Sequence, residues 1–168
     1  MTAPLLPKAE GAGWLFIFIA VSQVAFPLLL AALGAVMALT DAQAPQIFEF
    51  EPGTARNVFG AFATVGALCL PANFALRRVM LTEKHVKARY RNVEKVYRHY
   101  VIVYLVISTL CQVPAALALV HYVFLGGSVV EFVILCVYAA ALGVAFLPSR
   151  RRLDKLMRAV APPAEVQP

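Results

Sequence analysis

Four uncharged apolar runs, Gly11 to Thr40, Asn57 to Leu76, Tyr100 to Val130 and Phe132 to Ser149, take up most of this chain. Each reaches or nearly reaches the roughly 20 residues that a helix needs to cross a bilayer. Composition agrees, since 61% hydrophobic and 14% charged residues with a mean hydropathy of +0.76 fall outside the soluble range. The expected fold is an all-α membrane protein: four transmembrane helices at about 14–39, 58–76, 101–125 and 130–147, in two hairpins. Lys8 before the first run and Ala42-Gln43-Ala44 after it resemble a secretory signal. Its apolar part is too long for one and Pro45 follows the supposed cut, so it is read as an uncleaved first span.

Charge orients these runs. Of the 15 Lys and Arg residues, all but Lys8 and Arg56 lie between Arg77 and Arg98 or between Arg150 and Arg158. The connection between the first two runs carries Asp41, Glu49 and Glu51 against Arg56. The positive-inside rule places both basic segments, and both termini, in the cytoplasm. A net charge of +6 would raise nucleic-acid binding in a soluble chain. Next to apolar runs, the same charge predicts anionic lipid headgroups as its partner instead, and no nucleic acid.

The segment 77–100 is basic and amphipathic. Val86, Tyr90, Val93, Tyr97, Tyr100 and Tyr104 recur at steps of three and four, a helical stripe. No Gly or Pro interrupts it, so one continuous helix is expected from Glu83 to Leu125, the third transmembrane helix extended into the cytoplasm and roughly 60 Å long. Arg77, Arg78, Lys84, Lys87, Arg91, Lys95 and Arg98 are its candidate lipid or partner contacts, joined by Arg150, Arg151 and Arg152 after the fourth span. Leu153, Leu156 and Met157 share a face among those charges, which predicts a short helix lying on the inner headgroups. Residues 159–168 are expected to form a flexible tail. The outer segment Ile47 to Glu51 mixes apolar groups with carboxylates, as an interfacial stretch would.

A faint repeat relates the halves. Ser22, Gln23 and Pro27 in the first span parallel Ser108, Gln112 and Pro114 in the third, and Leu70-Pro71 and Leu147-Pro148 each precede an Arg cluster. Such a repeat would suit a pseudo-symmetric four-helix bundle. Reading from Ala12-Gly13-Trp14-Leu15, through Pro27, to Ser149-Arg150-Arg151-Arg152-Leu153, the chain resembles the bacterial four-span family called domain of unknown function 2569, with one Gly of its opening motif replaced. The resemblance implies a small inner-membrane protein and no catalytic residues.

Little in the spans points to chemistry. A bis-His haem site needs two ligands at one depth, and His121 lies about 33 Å along a helix from His99. Cys69, Cys111 and Cys136 fall one to a span, without a CxxC, and read as buried free thiols. No metal site, phosphate loop or nucleophile with its base is visible, so no cofactor and no enzyme activity are expected. A polar layer remains, formed by Gln23, Asn73, Ser108 and Gln112 with Thr109 nearby. It reads as interhelical hydrogen bonding, or as the lining of a small cavity. The expected function is that of an accessory or scaffold protein contacting other membrane proteins, or itself, and anionic lipid. The alternative is a small oligomeric transporter or channel built on the polar layer. An enzyme acting on a lipid or quinone has the least support.

Overall fold

The computed structural model describes residues 10–40 and 52–161. The expected interfacial stretch Ile47 to Glu51 and residues 162–168 of the expected tail lie outside the described residues. Six helices and no strand make up the described residues: α1 (Glu10–Leu39), α2 (Pro52–Met80), α3 (Glu83–Arg89), α4 (Val93–Leu125), α5 (Val129–Ala145) and α6 (Arg150–Val160). α1, α2 and α4 are each long and apolar enough to cross a membrane; α5 gives a fourth span if it is taken with α6 as one path bent by 41°. Large apolar side chains cover the outside of these helices, with Trp14 74%, Phe18 68% and Leu29 69% exposed. So extensive an apolar surface calls for lipid or protein against it.

α4 and α5 form the centre. Gly126 adopts the left-handed conformation at φ 67° and ends α4, and the Gly127 N–H bonds back to the His121 carbonyl at 3.1 Å. Ser128 and Glu131 then start α5 with a reciprocal capping box. α1 runs parallel to α4, with Phe16 against Tyr97 and Tyr100 at one end, and packs along α5 as far as Phe132. α2 runs the opposite way to α4, its Phe59 and Phe62 meeting His121 and its Phe74 meeting Phe146 at 5.1 Å. α1 packs extensively along α5 and less along α4, α2 packs mainly along α4 with a small contact to α5, and α1 and α2 have no comparable contact with each other. They therefore occupy opposite grooves of the α4–α5 pair. The expectation of two hairpins is met by α4 and α5 alone as a packed pair.

The continuous helix expected from Glu83 to Leu125 is broken. Tyr90 is extended at φ −126°, ψ 135°, and α4 starts only at Val93, where the Asn92 side chain accepts from the Glu94 N–H at 2.8 Å. Asn is a strong N-cap, and the break lets α3 bury Val86 completely in a core shared with Val96, Tyr100, Leu153, Leu156 and Met157. Tertiary burial outweighs the local periodicity here.

α6 is the second correction. Its apolar face, expected on lipid, is turned into the protein: Leu153, Leu156 and Met157 are all buried, against α3 and α4. The helix also runs through Ala159 to Val160, residues expected to belong to the tail. Tyr100 fixes the bend before it, donating its hydroxyl hydrogen to the Ser149 carbonyl at 2.8 Å and accepting from the Ser149 N–H at 3.0 Å.

Candidate functional site

The polar layer does not assemble into one site. The Gln112 side-chain amide donates to the Ser22 carbonyl of α1 at 3.3 Å, whereas Asn73 of α2 donates to the Cys111 sulfur at 3.4 Å. These contacts leave α4 from adjacent positions, about 100° apart around the helix. Ser108 is buried at 7% exposure, and Thr109 bonds back to the Leu105 carbonyl. Gln23 is fully buried, yet neither its amide nitrogen nor its oxygen has a partner; the Asn73 oxygen is likewise unpaired. Gly143 lies against the Gln23 backbone so closely that an added Cβ would overlap its carbonyl oxygen. The layer thus joins α4 to α1 on one side and to α2 on the other.

The basic residues divide differently. Arg77 and Arg78, in the last turn of α2, meet Arg152 and Lys155 of α6 around a cleft of about 600 Å³, also lined by Phe74, Leu81, Thr82, Glu83 and Leu156. Lys84, Lys87, Arg91, Lys95, Arg98, Arg150 and Arg151 lie outside this lining, exposed on the same end of the bundle. Arg77 donates from Nη1 to the Ala145 carbonyl at 3.4 Å, while its Nε is buried without a partner. Its guanidinium lies 6.0 Å from the centre of the Phe146 ring. Lys155 pairs with Glu83 at 2.9 Å. The hydrogen bond and charge of Lys155 hold the Glu83 carboxyl below its ordinary range.

Two neighbours keep this end in place. The His99 Nε2–H donates to the Met80 carbonyl at 3.1 Å, which leaves Nδ1 to accept from the Tyr90 hydroxyl at 3.0 Å. One imidazole thereby ties the end of α2 to the α3–α4 break. Sequence reasoning placed Glu83, Lys155 and His99 in the two basic segments but did not name them as site residues. Lys155 had a signal, one turn from Arg152 on a helical projection of α6; the Glu83–Lys155 and Met80–His99 contacts depend on how the chain folds back and had none.

Comparison of the chain with protein-family models, curated proteins and solved structures finds no match.

Proposed function

We propose that this chain is a multi-pass protein of the bacterial inner membrane, with four spans, both termini in the cytoplasm and no enzymatic activity of its own. In this reading it serves as an accessory or scaffold component, contacting other membrane proteins through its spans and anionic lipid through its basic end. The sorting of charge along the bundle carries the reading. Among the described residues, every Lys and Arg other than Arg56 lies at or beyond the end where α2 stops and α4 and α6 begin, the asymmetry expected of a cytoplasmic face. The outward face of α2 supports the contact with other spans, because Gly60 and Thr64 are exposed one turn apart and Gly60 has open space around it.

The test is gentle extraction of the tagged protein with its surrounding lipid, followed by mass spectrometry of what is retained. A stoichiometric membrane-protein partner together with anionic lipid is expected, with retention reduced when Lys87, Arg91 and Lys95 are changed to Glu. Unchanged co-purification by that variant would count against the reading.

A further inference from the structure

The basic cleft combines three features that a diffuse cationic surface lacks. First, its cations come from two elements far apart in sequence, Arg77 and Arg78 from α2 and Arg152 and Lys155 from α6. Four cations face one carboxylate, and Glu83 is already paired with Lys155. Like charges gathered in this way repel one another, and an anion between them would offset that repulsion. Second, Arg77 lines the cleft and hydrogen-bonds within the described residues only through Nη1, which leaves Nη2 available, and an arginine fork suits a phosphate oxygen. Third, the wall is apolar on the side of the bundle. Phe74, one turn before Arg77 and Arg78, is 59% exposed, and Leu81 and Leu156 complete the lining. A free anion has no use for such a wall, whereas an amphiphile would lay its chains along Phe74.

We infer that this cleft binds the headgroup of a phospholipid carrying two phosphates, held between Arg77 and Arg78 on one side and Arg152 and Lys155 on the other. Two phosphates match the three positive charges left after Glu83 is counted better than one does. Basic clefts between helices at the cytoplasmic boundary are suited to such headgroups. The inference rests on the reading above, in which this end of the bundle faces an anionic membrane surface, and adds a defined site to it.

The experiment uses the full-length protein in detergent at physiological ionic strength. Diphosphatidylglycerol, phosphatidylglycerol, phosphatidylcholine or inorganic pyrophosphate is titrated in, and the thermal unfolding midpoint is followed. Diphosphatidylglycerol is expected to stabilise at the lowest concentration, phosphatidylglycerol more weakly, and the other two not at all. Arg78 is exposed and Arg152 half-buried, so Arg78→Gln/Arg152→Gln should fold and should weaken binding about fivefold for each cation removed. Glu83→Gln removes the competing carboxylate and should tighten binding about fivefold. Lys87→Gln/Lys95→Gln should change it by less than about twofold, because those residues lie outside the cleft lining and do not contact a headgroup seated there.

Equal losses in the cleft and control variants would overturn the site while leaving general attraction to anionic lipid intact. No stabilisation by either anionic lipid would overturn both. Equal stabilisation by pyrophosphate would overturn the lipid as occupant, and equal potency of phosphatidylglycerol would overturn the requirement for two phosphates.

Discussion

Tyr100 and Gln23 are both buried polar side chains, and they have opposite consequences. The Tyr100 hydroxyl is fully used, bonding to both backbone groups of Ser149. Ser149 O also accepts from the N–H groups of Arg152 and Leu153, so Tyr100→Phe strands chiefly the Ser149 N–H. A loss of about 1–3 kcal/mol is expected, readable as a lower unfolding midpoint in detergent; an unchanged midpoint would show that the bend before α6 is held by packing alone. Gln23 is the reverse case, an amide buried with no partner. Gln23→Leu, close in volume, is expected to stabilise by about 1 kcal/mol or more. A marked destabilisation in the same assay would mean that the amide has bonds it does not make here. Gln23 was legible as a polar group in an apolar run, and Tyr100 as a member of the helical stripe. Which one would be satisfied was not, because Tyr100 reaches a carbonyl 49 positions away.

Among the elements, α6 shows how a helical face can be read correctly and its partner wrongly. Leu153, Leu156 and Met157 form the face that the sequence implies, but the same spacing serves lipid or protein equally, and here the protein takes it. Leu156→Ala should therefore cost about 2–5 kcal/mol; a helix lying on lipid would lose much less, and the unfolding midpoint distinguishes the two. The Glu83–Lys155 pair adds a pH dependence. Because Lys155 lowers the Glu83 pKa from its ordinary value of 4.5 in the folded state, the contribution is present above that value. It disappears as pH falls through the depressed one. Proteolysis of α6 in the intact protein is expected to quicken at acid pH, and to lose that dependence in Glu83→Gln. The break at Tyr90 to Asn92 was hidden for a related reason. No Gly or Pro marks it; Asn92 is able to cap α4, but it is the burial of Val86 in the core shared with α6 that favours the break.

At the scale of the whole molecule, the apolar runs gave away the helices because length and lack of charge suffice to identify them. The arrangement of those helices was less accessible, since neighbours in sequence need not be neighbours in space. Orientation can be tested directly. Cys69, Cys111 and Cys136 are buried, so a single cysteine placed at exposed Ser128 or exposed Lys87 should dominate labelling in cells. A membrane-impermeant maleimide should reach Ser128→Cys from outside and Lys87→Cys only after permeabilisation; the opposite pattern would invert the molecule. The placement of α1 and α2 in opposite grooves of the α4–α5 pair also bears on biogenesis. Both helices leave the ribosome before the pair that receives them exists, and the folded arrangement gives them no extensive contact with each other. Native assembly can therefore begin when α4 is made and α2 packs along it, whereas α1, whose main seat is α5, is placed last.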